Sequence, residues 1–116
     1  MLFRAPGGVL DSKTFAVRVD DGTEQLPDEL SFTAGSFKSV ANTRYGFRET
    51  PYTADAADGA IAFTAVSAND QFGKITWKGK VSGDKIEGTA VWDQGWFHFD
   101  KKYAFKGSLA TAPQAQ

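Results

Sequence analysis

The sequence predicts an all-β domain, an antiparallel up-and-down meander closed into a barrel of roughly eight strands. Three observations carry this reading. Apolar and polar residues alternate with a period of two in about eight short segments. Turn chemistry interrupts them at intervals of roughly 8 to 12 residues, with no helical pattern of useful length between. The chain also holds ten Phe, three Trp and three Tyr against a single Met, a composition that suits pleated surfaces better than a helical bundle.

The first element is KTFAVRV, which places Phe15, Val17 and Val19 on one face before Asp20, Asp21 and Gly22 break it. ELSFT carries Leu30 and Phe32, and Ala34-Gly35 turns it into SFKSV with Phe37, so the two read as a hairpin. In YGFRETPYTA, Pro51 lacks a ladder donor and marks an edge, a bulge or a break. GAIAFTAVS follows Asp58-Gly59, a tight-turn dipeptide, and aligns Ile61, Phe63 and Ala65. GKITWKGKVSGDKIEGTAVW supplies two further strands. With Gly83-Asp84 as a type II′ turn, counting outward pairs Val81 with Ile86, Gly79 with Gly88, Trp77 with Ala90 and Ile75 with Trp92; a slip of one residue sets Trp77 against Gly88 instead. KKYAFKGSLA closes the series with Tyr103, Phe105, Gly107 and Leu109 on one side. Closure is favoured over an open sandwich because it removes exposed edges. The single domain takes in residues 1–116, with 1–11 expected as a loose N-terminal arm and 111–116 as a disordered tail.

A chain of 116 residues can bury a core without staples. Its 13 basic and 14 acidic residues leave a net charge of −1, so no global field gathers nucleic acid or an anionic membrane. The absence of cysteine removes disulfides, thiolate catalysis and cysteine-based zinc sites. No apolar run approaches the length of a bilayer span, so membrane insertion is not expected and the chain reads as soluble. The compartment is left open: MLFRAPGGVL is no signal peptide, and a leader removed upstream would fit a periplasmic or secreted protein. Oligomeric state is equally open.

The glycines opposite the indoles admit two readings. Inward glycines let strands bend at a barrel corner and make room for packed aromatics. Alternatively, Gly79 and Gly88 form the floor of a site where a flat ligand lies between Trp77 and Trp92. Volume favours the first, since about ten inward aromatics of roughly 150 to 250 Å² each would nearly fill an eight-stranded barrel. Any ligand is then small or held at the mouth. The row Lys74, Lys78 and Lys80, with Lys85, could track phosphates, but its aromatics alternate to the opposite face, so nucleic-acid binding is not expected.

Catalytic signals are sparse. His98 could be drawn into a triad with Asp100, yet no serine occupies a G-x-S-x-G elbow, and one histidine cannot supply a multi-imidazole metal site. The pairs Asp20-Asp21 and Asp28-Glu29 fall in turns without calcium-loop spacing. No cofactor and no metal are expected. The most site-like segment is NTRYGFRETPY, where Arg44, Arg48 and Glu49 mix with Tyr45, Phe47 and Tyr52; it either borders the open end of the barrel or pairs Arg48 with Glu49 on an outer surface.

TWKGKVSG followed by IEGTAVW, with a final F-x-G-x-L strand, resembles the late strands of the calycin-type barrels, the lipocalin and streptavidin group. The resemblance implies an eight-stranded meander with Trp77 and Trp92 as walls of a small-ligand cup, as tryptophans serve biotin in that family. Ile75 and Gly73 stand where the family places hydroxyl side chains, which does not favour biotin itself, and the lipocalin G-x-W is absent from the first strand. The pattern is also similar to small bacterial barrel proteins without an assigned activity, which would fit an exported origin. The expected function is non-enzymatic binding of a small apolar or aromatic molecule at the barrel mouth through Trp77, Trp92, Phe47 and Tyr52, with Arg44 or Arg48 orienting it. The alternative is a filled barrel that presents its rim, in particular Trp96, Phe97 and Phe99, to another protein. A hydrolase using His98 is a third expectation.

Overall fold

Residues 9–94 and 100–110 are described by a computed structural model. Eight antiparallel strands follow one another around a closed barrel: β1 (Lys13–Asp20), β2 (Gln25–Thr33), β3 (Ser36–Ser39), β4 (Thr50–Ala57), β5 (Ala60–Asn69), β6 (Gly73–Ser82), β7 (Lys85–Asp93) and β8 (Lys101–Leu109). The last strand pairs with the first, Val17 opposite Gly107 and Val19 opposite Phe105, so the meander leaves no free terminal strand.

Alternation puts the large rings inside. Phe15, Phe32, Phe37, Tyr52, Phe63, Trp77 and Phe105 are all buried. Phe32 is the hub, with ring centroids 6.0 Å from Phe15, 5.3 Å from Phe37, 4.9 Å from Tyr52 and 5.1 Å from Phe63. Trp77 continues the stack between Phe37 at 5.2 Å and Phe105 at 5.5 Å. Tilted and edge-on contacts at such spacings are the favourable ones for rings.

The turns follow the local chemistry. Ala34-Gly35 and Asp58-Gly59 each have two successive positive φ values, the pattern of a type I′ hairpin. At Gly83-Asp84 only Gly83 is positive, at 61°, as a type II′ turn requires. The β6–β7 register is the one counted outward from that turn, with Gly79 opposite Gly88, Trp77 opposite Ala90 and Ile75 opposite Trp92.

Two features depart from the sequence reading. The meander is interrupted by one turn of helix, α1 (Val40–Thr43), where no helix was expected. Its start is stabilised locally: the Ser39 hydroxyl accepts from the Asn42 N–H and donates to the Asp28 carboxylate, which also accepts from the Ala41 N–H at 2.9 Å. One helical turn is too short to leave a periodic signal.

The expected loose arm is also, over its described residues 9–11, part of the fold. Leu10 is fully buried, its N–H donates to the Tyr52 hydroxyl at 2.9 Å, and that hydroxyl donates to Asp11 Oδ1 at 3.0 Å. Asp11 Oδ1 also accepts from the Gly35 N–H at 2.9 Å, tying this segment to the β2–β3 turn. Leu10 thereby plugs the barrel end that holds the β2–β3, β4–β5 and β6–β7 turns. Tyr52→Phe keeps the ring against Phe32 but strands the buried Leu10 N–H, so urea unfolding is expected to show a loss of about 1–2 kcal/mol with an unchanged m-value.

Candidate ligand site at the helical end of the barrel

The opposite end gathers α1, the segment 44–49, the β1–β2 and β5–β6 turns, the end of β7 and the start of β8. Here the inward rows reach their last residues, and the side chains are only partly covered. Val19, Phe72, Trp92 and Tyr103 are half-buried and packed on the core, while Leu26 is 52% exposed. Phe47 lies beneath the segment that carries it, 4% exposed, and its N–H donates to the Asn42 carbonyl at 3.3 Å.

A chain of hydrogen bonds holds the aromatic part of this rim. Asn69 Oδ1 accepts from the N–H groups of Gln71 and Phe72, both at 2.8 Å, and fixes the β5–β6 turn. The other end of the same side chain donates to the Tyr45 carbonyl at 3.1 Å. The Trp92 indole N–H donates to the Phe72 carbonyl at 2.7 Å. Tyr45 and Phe72 meet edge to face at 6.0 Å. Trp92, Phe72 and Tyr45 are thus placed by three elements and one shared amide, with Tyr45 57% exposed. With its indole donor already used, Trp92 can offer a ligand only its face and edge.

Beside this platform, the segment 46–50 stands off the upper half of β5. The β4–β5 ladder ends at Tyr52 opposite Ala65, because the next residue, Pro51, has no N–H to give. A cleft of about 530 Å³ results, lined by Arg48, Glu49, Thr50, Val66, Asn69 and Asp70 among others. The Thr50 hydroxyl bridges it, donating to the Val66 carbonyl at 2.7 Å.

Two titratable groups on the rim are shifted. Hydrogen bonds from the backbone N–H groups of Glu24 and Thr23 and from the Thr23 hydroxyl lower Asp21 to about 2. Burial, and then the Asp21 charge, raise Tyr103, which stays a neutral phenol.

The sequence-predicted site residues divide between these environments. Trp92 is on the rim and Phe47 is directly under it. Arg44 and Arg48 are exposed on the same segment, Arg48 lining the cleft rather than the aromatic platform. Trp77 and Tyr52 are in the packed interior, 2% and 0% exposed. Gly79 and Gly88 do face each other, but the room beside them is taken by rings: a Cβ on Gly79 would meet Phe63 Cε1 at 2.6 Å and one on Gly88 would meet Phe105 Cζ at 2.8 Å. The space beside these glycines is therefore filled by packed rings and paired backbone rather than left as a floor for a ligand. Phe72 was missed, although an aromatic inside the otherwise polar turn NDQFG is itself a signal. His98, Trp96, Phe97 and Phe99 lie outside the described residues. Among the described residues no group of three or more His, Cys, Asp or Glu is arranged to hold a metal, and no helix is long and apolar enough to cross a membrane. No family model matches the chain, and no curated protein or solved structure matches it either.

Proposed function

We propose that the protein is a non-enzymatic binding module whose solid barrel supports an aromatic platform at the helical end, and that the platform takes a small apolar or aromatic molecule. The observation that carries this is the hydrogen bond from the Trp92 indole to the Phe72 carbonyl, which fixes a half-buried indole at the barrel mouth where the Tyr45 and Phe72 rings meet edge to face. A ring already held in place loses little freedom when a flat ligand stacks on it, so most of the contact energy is retained as affinity. Arg44 or Arg48 would orient a polar substituent from the edge. An eight-stranded meander with binding at one mouth is also the arrangement expected of a calycin-type relative. The packed interior favours a second reading, in which the occupant of the same platform is a side chain of a partner protein.

Both readings are tested by titrating a fragment set of aromatic and alicyclic molecules while following tryptophan fluorescence, alongside native mass spectrometry of freshly purified protein. A retained or bound small molecule whose affinity falls about 10-fold or more in Trp92→Ala is the expected result. Binding that is indifferent to Trp92 and Phe72 would count against the platform, and absence of binding by every fragment would leave the partner-protein reading as the better one.

A further inference from the structure

The outward side chains of β6, β7, β8 and β1 form a grid fixed by the ladder register. Successive rows across these strands read Ser82, Lys85, Ser108, Ala16; then Lys80, Glu87, Lys106, Arg18; then Lys78, Thr89, Ala104, Asp20. Lys78, Lys80, Lys85, Lys106 and Arg18 are all exposed, against two carboxylates, and Lys102 follows in the next row beside Val91. Glu87 has Lys80 and Lys106 as its lateral neighbours, so it offsets only part of their charge. A shallow depression of about 410 Å³ lies on this patch between Lys80, Lys85 and Lys106, with Ser82 and Ser108 on its walls, and Lys85 Nζ donates to Ser108 Oγ at 3.1 Å. The neighbouring strand β5 presents only Ala60, Ala62, Thr64, Val66 and Ala68 on its outer face. The net charge of −1 therefore averages over unlike faces, and one of them is strongly basic.

We propose that this face docks the protein on an anionic lipid bilayer. Apart from Glu87, the residues among the lysines are serine, threonine and alanine, which leave the ammonium groups outermost, and a lysine near an anionic leaflet gains about 1 kcal/mol, roughly five-fold in affinity, without needing a stereospecific partner. Charge complementarity with a plane of headgroups is what the grid offers. A compact phosphate in the depression would lie against the Glu87 carboxylate, whereas a plane of headgroups responds to the surplus of the whole face. Nucleic acid fits less well, because no aromatic side chain lies in the grid for bases to stack on and no helix projects from it into a groove. Docking on the barrel wall leaves the aromatic platform at the helical end free, so this inference stands apart from the proposed function.

Cosedimentation with vesicles of phosphatidylcholine alone, and of phosphatidylcholine mixed with phosphatidylglycerol, tests the proposal. The protein is expected to bind only the mixed vesicles, and to bind them about 10-fold or more weakly when salt is raised from about 50 to 300 mM. The triple variant K80Q/K85Q/K106Q is expected to lose about 100-fold, arginine at the same three positions to retain binding, and Lys38→Gln on β3 to change little. The proposal is overturned by equal binding to both vesicles, by equal effects of the triple variant and Lys38→Gln, or by tighter binding at the same salt to duplex DNA or inorganic phosphate than to the mixed vesicles.

Discussion

Replacing Gly107 or Gly88 with alanine is expected to cost at least about 3 kcal/mol, a large share of the stability of a domain this size. Neither position is a matter of backbone conformation. At Gly107 a Cβ would overlap the Ala16 carbonyl oxygen and come within 2.6 Å of Val17 Cα; at Gly88 it would overlap the Lys78 carbonyl oxygen and lie 2.5 Å from Gly79 Cα. These obstacles are the backbones of paired strands, which can retreat only by breaking the ladder. Gly79 is a milder case, since its nearest obstacle is the Phe63 ring, which can turn, and its nearest backbone obstacle, the Glu87 carbonyl oxygen, lies at 2.9 Å rather than in overlap. Gly83 supplies the contrast: nothing lies within 4 Å of its Cβ direction, and alanine there meets only the strain of φ 61°, about 1–2 kcal/mol. Equilibrium unfolding in urea should therefore rank the variants Gly107→Ala and Gly88→Ala as most damaging, then Gly79→Ala, then Gly83→Ala. A Gly88→Ala protein as stable as Gly83→Ala would mean that β7 does not pass as close to β6 as the ladder requires.

Those same glycines show how much of the architecture could be read in advance. Strict alternation in β6 and β7, with a turn glycine to anchor the count, narrows the register to two that differ by one residue, and the structure adopts the one with Gly83-Asp84 as the turn. Alternation also located the inward faces of β1, β5 and β8. Where the chain leaves period two, legibility ends. The helical turn at Val40–Thr43 depends on the Asp28 carboxylate, eleven residues before Ser39 in sequence and brought to it only by the β2–β3 hairpin. Leu10 gives no pattern at all, being one of two apolar residues after Gly7-Gly8, yet it closes one end because Tyr52 arrives from another part of the chain to bond it and Asp11.

The proposed platform is half legible in the sequence for a related reason. Trp92 follows from strand alternation, and of the irregular 42–52 segment the part up to Thr50 borders the helical end, while Tyr52 lies inside with its hydroxyl on Leu10 and Asp11. Phe72 and the Asn69 amide that fixes it belong to a turn, where side-chain direction is set by hydrogen bonds rather than by a period. Alternation gives only the inward direction of Trp77, and the resemblance to calycin-type barrels makes it a cup wall. Whether an inward ring borders a gap or fills one depends on what the opposite strands send in, here Phe37 from β3 and Phe105 from β8.

Trp77 leads to the second large effect. Truncating it to alanine removes a 2%-exposed indole from between two rings and is expected to cost about 3–5 kcal/mol. Phenylalanine should behave quite differently. Among the described residues the buried indole N–H of Trp77 has no hydrogen-bond partner, and an unmade buried donor costs about 1–3 kcal/mol. Trp77→Phe gives up part of the ring volume but also removes that donor, so the two changes offset and the variant should unfold within about 1.5 kcal/mol of the wild type. If Trp77→Phe instead destabilises nearly as much as Trp77→Ala, the N–H holds an acceptor inside the barrel, and the interior is not filled by side chains alone. The two outcomes also bear on the platform. A core role for Trp77 predicts that Trp77→Phe leaves fragment affinity unchanged while Trp92→Ala abolishes most of it, whereas a ligand reaching down to Trp77 would make both substitutions weaken binding.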